Sequence, residues 1–126
     1  MPDLNISILI VDDNEDMLAM LAIILRGKGY KVTAREKFEL LEKEITGIAP
    51  NLILIDKSLG WTDGCELCRQ IRRFPQFATT IILIFSAYSI NVQEIESAGA
   101  DGYLEKPFGM QAFVEYIETQ LWPYHQ

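Results

Sequence analysis

Five polar residues in this chain each follow a short apolar run. Asp12 and Asp13 come after ISILIV, Asp56 after LILI, Ser86 after IILIF, and Lys106 after the weaker run that starts at Gly102. Three carboxylates gathered in one place repel, because two unit charges ~4 Å apart interact by roughly 4 kcal/mol at an effective dielectric near 20. Such a cluster has three remedies: a proton, a bound cation, or a basic side chain beside it. Hard carboxylate oxygens suit Mg²⁺, or Mn²⁺ in its place. Lys106 would supply a fixed ammonium, and the Ser86 hydroxyl a hydrogen-bond donor. An ammonium, a divalent cation and a hydroxyl are the parts that neutralise a phosphoryl group in transfer. Asp56 would then be the nucleophile, since carboxylates can carry covalent phosphoryl groups.

Each residue also has a plainer reading. Asp12 and Asp13 could cap a helix and do nothing more. Ser86 could simply end a strand, and Lys106 could be a surface lysine. Lys106 is, however, the one basic residue after Phe74, in a stretch that carries Glu94, Glu96, Asp101, Glu105, Glu115 and Glu118.

The elements that must position these groups alternate regularly. Ile6–Val11, Tyr30–Ala34, Leu52–Ile55, Ile81–Phe85 and Gly102–Leu104 are expected to be strands, the apolar ones buried on both faces. Between and after them, apolar residues recur at helical spacing. They are Met17, Leu18, Met20, Leu21, Ile24 and Leu25; then Phe38, Leu40, Leu41, Ile45 and Ile48, with Gly47 and Pro50 as the stop. Cys65, Leu67, Cys68 and Ile71 mark a third helix, Val92, Ile95 and Ala98 a fourth, and Ala112, Phe113, Tyr116, Ile117 and Leu121 a fifth. Strands alternating with helices imply a doubly wound parallel sheet with right-handed crossovers, in the order 2-1-3-4-5 and with helices on two faces. In such a sheet ligands bind outside the carboxyl ends of the strands, where the order reverses. All five polar residues fall at that edge.

Composition bounds the rest. The chain has 126 residues, 49% apolar and 23% charged, an ordinary globular mix. A net charge of −7 disfavours direct binding to nucleic acid or anionic membranes. Two cysteines, Cys65 and Cys68, make no disulfide framework. Their Cys-x-x-Cys spacing reads as core-facing thiols on a helix rather than a zinc or redox pair, the one histidine being His125 near the end. The N-terminus does not read as a signal peptide, and the longest apolar runs fall short of a bilayer span, so a cytoplasmic setting is expected. Trp61 is expected to border the site and Trp122 to close the last helix.

Taken together, the motifs resemble the receiver domain of bacterial two-component response regulators, of the chemotaxis-regulator type. The matching residues are Asp12-Asp13, Asp56, Asp63-Gly64, Ser86-Ala87 and Lys106-Pro107, over about Ile6 to Leu121. The resemblance implies a flavodoxin-like fold and one receiver domain over residues 1–126. It implies that Asp56 accepts phosphoryl from a sensor histidine kinase or a histidine phosphotransfer protein. Mg²⁺ would be bound by Asp13 and Asp56, by the backbone carbonyl of Ser58, and by Asp12 directly or through water. Lys106 would pair with the phosphoryl group, Ser86 would move to bond it, and Tyr103 would swing inward as the aromatic switch. Pro107 matches the family's cis proline. The readout would be a downstream partner protein or an output domain outside this chain, through the face of the fourth helix, fifth strand and fifth helix. The domain would catalyse only its own phosphorylation and dephosphorylation. Gly60 stands where the family usually has proline, and Lys57 directly follows Asp56.

Three other functions fit parts of the pattern. A pseudo-receiver would bind partners without accepting phosphate. A Mg²⁺-dependent phosphohydrolase would use an aspartate nucleophile, but such enzymes place two aspartates two apart on one strand end. A flavin carrier shares the fold, yet acidic loops stand here where its phosphate would sit.

Overall fold

Three β-branched or leucine-rich runs lie side by side at the centre of a parallel sheet. In the computed structural model, which describes residues 5–37, 42–87 and 90–125, these are β1 (Ser7–Val11), β3 (Leu52–Asp56) and β4 (Ile81–Ser86). Strands β2 (Lys31–Arg35) and β5 (Gly102–Glu105) form the edges, giving the order β2-β1-β3-β4-β5, all parallel. The helices are α1 (Glu15–Gly27), α2 (Glu42–Ile48), α3 (Gly64–Arg72), α4 (Val92–Ser97) and α5 (Met110–Gln120). Short 3-10 turns follow α3 at Pro75–Phe77 and α5 at Trp122–His125.

Alternation along each strand divides the core into two layers. Ile8, Ile10, Leu52, Leu54, Leu83 and Phe85 face α1 and α5, where Leu21, Leu25, Phe113 and Ile117 meet them. Leu9, Val11, Ile53, Ile55, Ile82 and Ile84 face the other way, onto Ile45 of α2, Leu67, Cys68 and Ile71 of α3 and Ile95 of α4. Both faces of β1, β3 and β4 are therefore covered, which is why those strands are continuously apolar rather than alternating.

The sequence-based boundaries hold with small shifts. β2 starts one residue later than expected because the Tyr30 N–H donates to Leu25 O and closes α1 instead. Gly47 does not stop α2; the helix runs to Ile48 and ends where Ala49 takes a positive φ of 48°. Phe38, Leu40 and Leu41 lie outside the described residues. Met20 and Ala112, expected on buried faces, are exposed. Trp122 stands largely in solvent in the turn after α5 rather than sealing it, because Leu121 takes the buried position there.

One side chain ties the layer of α3 and α4 to the sheet. Arg72 donates to the carbonyls of Gly99 (2.8 Å), Phe77 (2.8 Å) and Thr80 (2.7 Å) and to Asp101 Oδ2 (2.8 Å). That same carboxylate oxygen accepts the Ile82 N–H at 2.8 Å. Removing the guanidinium deprives these three carbonyls, and that of Ala78 at 3.4 Å, of a charged donor, and bonds to charged groups contribute more than neutral ones. Arg72→Ala is expected to destabilise the fold by about 2–4 kcal/mol, read as a lower urea midpoint at unchanged m-value.

Candidate functional site

The parallel ladder itself brings the polar residues to one edge. Val11 pairs with Ile55 and Asp56 with Phe85, so Asp12 and Asp56 leave neighbouring strands side by side. The register continues past the strands: the Lys57 N–H donates to Phe85 O at 2.8 Å and the Lys106 N–H to Ser86 O at 2.7 Å. This edge between β1 and β3 is where the strand order reverses.

Lys106 sits at the centre. Its Nζ lies 3.0 Å from Asp56 Oδ2 and 3.4 Å from Asp12 Oδ2, and 4.6 Å from the centroid of the Phe85 ring. Asp12 is fully buried and Asp56 nearly so, at 6% exposure. The second oxygen of each is held by main chain, Asp12 Oδ1 by the Asn14 N–H and Asp56 Oδ1 by the Ser58 N–H, both at 3.0 Å. Asp13 is exposed and completes the trio: Asp12, Asp13 and Asp56 each offer an oxygen within 4.8 Å of the others. One ammonium facing three carboxylates leaves the pocket short of positive charge. Hard oxygens at this spacing, one of them open to solvent, suit a divalent cation such as Mg²⁺.

The surrounding turns fix these groups. The Asn14 side chain caps α1 by accepting the Met17 N–H at 3.0 Å, so the acidic pair enters the helix at a defined angle. Gly64 packs against the main chain of Asp56; a Cβ there would lie 2.2 Å from the Asp56 carbonyl oxygen. Gly60, at φ 77°, brings the loop after β3 over Asp13, where a Cβ would lie 3.3 Å from Asp13 Oδ2. Trp61 borders a cleft of about 340 Å³ with Asp13, Glu36 and Leu59, and its indole N–H donates to Glu36 O at 3.1 Å.

Ser86 is buried at the end of β4 and lines an adjoining cleft with Lys57, Ser58, Asn91 and Glu94. Tyr103 stands apart from the acids on the edge strand β5, 40% exposed, with its N–H donating to Tyr116 Oη at 3.1 Å. The bond between Lys106 and Pro107 is cis. Cys65 and Cys68 are both buried in α3, and burial pushes each thiol up to about 11. They are protonated core residues, as their helical spacing implied.

Sequence reasoning did not find the ion pairs of Lys57. Its Nζ bonds Asp63 Oδ2 and lies 2.9 Å from Glu94 Oε1. Burial alone would lower this ammonium's pKa, but the two carboxylates outweigh it and raise it. Asp63 in turn caps α3 through the Cys65 N–H at 2.7 Å. Lys57 and Asp63 were visible as a departure and a motif, but nothing local in the sequence joins either to Glu94. The nearness of Glu15, which raises the pKa of Glu36, was equally invisible.

Comparison with known proteins agrees with this architecture. Residues 8–118 match the family model described as Response regulator receiver domain. The transcriptional regulatory protein YxdJ of Bacillus subtilis is 32% identical over 116 residues, covering 90% of this chain and 49% of that protein. The phosphate regulon transcriptional regulatory protein PhoB of Pseudomonas aeruginosa is 32% identical over 117 residues, covering 91% of this chain and 51% of that protein. The chain thus spans about half the length of these curated relatives. A CheY-like response regulator receiver domain protein from Methanospirillum hungatei superposes with a TM-score of 0.85 at 27% identity, covering 95% of this chain and 96% of that one. Among the described residues, no helix is long and apolar enough to cross a membrane.

Asp12 gives the site a pH dependence. Burial pushes its pKa up to about 6 and the neighbouring Asp56 adds to the rise, while the Asn14 N–H and Lys106 oppose it. A carboxyl whose folded pKa exceeds its unfolded value near 4 keeps its proton longer in the folded chain. The folded state is therefore penalised by ionising it, and stability falls as pH rises from about 4 to about 6. Asp12→Asn is expected to stabilise the metal-free protein at pH 7 by on the order of 1–3 kcal/mol and to leave it unchanged at pH 4, measured by urea unfolding at both. Equal effects at the two pH values would refute the assignment.

Proposed function

The chain belongs to the response regulator receiver domain family, and from that premise we propose that it is a phosphoacceptor switch in which Asp56 takes a phosphoryl group from a phosphohistidine. The observation that carries this reading is the Lys106 ammonium set 3.0 Å from Asp56 Oδ2 inside a trio of carboxylates. The donor is a sensor histidine kinase or a histidine phosphotransfer protein. Asp56 attacks the phosphorus, the bond to imidazole nitrogen breaks, and its electron pair returns to the ring. Lys106 holds the negative charge of the transferred group, and the Ser86 hydroxyl donates to it. Asp12, Asp13, Asp56 and the Ser58 carbonyl would hold Mg²⁺ or Mn²⁺. That ion supplies further neutralisation of the phosphoryl charge when bound.

The output follows from charge as well as position. As Ser86 is drawn in, Tyr103 leaves its exposed position and the face of α4, β5 and α5 changes shape. That face is rich in acids, and Lys106 is committed to the site, so complementary ion pairs between two copies are not available there. A partner protein or a further output domain reads the change. The matched relatives, twice this length, are named transcriptional regulatory proteins, but a net charge of −7 makes this domain itself a poor DNA ligand. A donor of this kind places the reaction in the cytoplasm.

Incubation with Mg²⁺ and acetyl phosphate is expected to add the mass of one phosphoryl group, and Asp56→Asn to abolish the adduct. An adduct that persists in Asp56→Asn refutes the nucleophile. Asp13→Asn is expected to weaken Mg²⁺ binding roughly tenfold or more, equivalent to about 1.4 kcal/mol. Because Trp61 shares a cleft with Asp13, its emission should report the ion: Trp61→Phe is expected to remove the Mg²⁺-dependent change and Trp122→Phe to keep it. An undiminished response in Trp61→Phe would contradict the metal assignment.

A further inference from the structure

Helix α4 is only six residues long and buries one of them, Ile95. So short a helix has little stability of its own, and its position is set by what grips it. Two cations from outside do so. Beyond its C-terminus Arg72 holds the Gly99 carbonyl within the network that also engages Phe77, Thr80 and Asp101. At its first turn the grip is Lys57, the residue after Asp56, whose ammonium is 2.9 Å from Glu94 Oε1.

The two ends differ in what they are attached to. Lys57 is fixed to the sheet: its N–H donates to Phe85 O and its carbonyl accepts the Gly64 N–H, each at 2.8 Å. Glu94 instead belongs to α4, and its N–H donates to the side chain of the cap residue Asn91 at 3.1 Å. Ser86, Asn91, Glu94 and Lys57 line the same cleft, about 170 Å³ in volume. If Ser86 is drawn toward a phosphoryl group on Asp56, the cleft it shares with Glu94 is reshaped, while the main-chain bonds of Lys57 hold that residue to the sheet. Lys57 does not lose its only partner in this event, because Asp63 is anchored on the same loop as the α3 cap.

We propose that Lys57 is a positioning residue: its ion pair with Glu94 fastens α4 in the unphosphorylated arrangement and so sets how readily Asp56 is occupied. This rests on the switch reading above. A contact present in the resting arrangement and lost in the occupied one lowers the apparent affinity for any ligand of the occupied state. Both partners are partly exposed, with side-chain exposures of 25% and 36%. The effect is accordingly modest, in the range of surface pairs, about two- to fivefold.

Beryllofluoride with saturating Mg²⁺, titrated by calorimetry, tests it. Glu94→Gln is expected to bind beryllofluoride about two- to fivefold more tightly than the unchanged protein. In a Lys57→Ala background, Glu94→Gln is expected to add nothing, since the carboxylate acts through the ammonium. A purely structural role would weaken binding or leave it unchanged, and either result overturns the proposal. So does an equal gain in the Lys57→Ala background. If the unchanged protein binds no beryllofluoride, it is the phosphoacceptor reading that fails; if it binds and the variants match it, the tether alone is wrong.

Discussion

Three carboxylates share one small hollow with a single ammonium, and this imbalance of charge governs the rest of the molecule. Left in water the acids would separate, so the fold must hold them together against their repulsion. It does so with main-chain donors on one oxygen of each buried acid and Lys106 on the other. Burial behind Phe85 and the strand ends strengthens these contacts and also keeps Asp12 protonated to a higher pH than a free carboxyl. The same excess of negative charge that costs stability makes the hollow receptive to a cation, and a bound cation to a phosphoryl group.

Holding acids in this way needs a scaffold that cannot yield, and the sheet supplies it. The central strands are buried on both faces, so slipping the register by one residue would exchange one apolar layer for the other without relief. The ladder bonds that run beyond the strands to Lys57 and Lys106 extend that rigidity into the site. The covering elements are less uniform. Arg72 binds its neighbours through several carbonyls, whereas the ion pair of α4 with Lys57 beside the site is partly exposed. Rigidity near the acids and looser attachment at α4 are what a domain needs if chemistry at one edge is to change a distant face.

Much of this was legible in the residues. Apolar runs ending in Asp, Ser or Lys gave both the strands and the edge at which they deliver side chains, because in a parallel sheet the two are one fact. The order of strands followed from alternation with helices. Cys65 and Cys68 could be placed in the core from spacing alone. What stayed hidden depends on approach between segments far apart in the chain. Nothing near Lys57 announces Glu94, and nothing near Trp61 announces Glu36. Helix ends were also misjudged where tertiary contacts decide them: Gly47 is tolerated inside α2, and Ala49 takes the left-handed turn. Met20 illustrates the remaining error, since helical periodicity marks an apolar residue but not whether a neighbour covers it.

The absence of a side chain at position 64 has a consequence for how such a chain can drift. Even a methyl group there would press on the main chain of the residue before Lys57, so this site should stand out as a gap in any map of permitted replacements. Gly27, Gly47 and Gly109, where an added methyl meets nothing within 4 Å, should accept alanine with little selection against it. Glycine content alone would not separate the two kinds. Variation among descendants should therefore be sparse around the turn beside Asp56 and plentiful at the other three positions, even though all four carry the same residue.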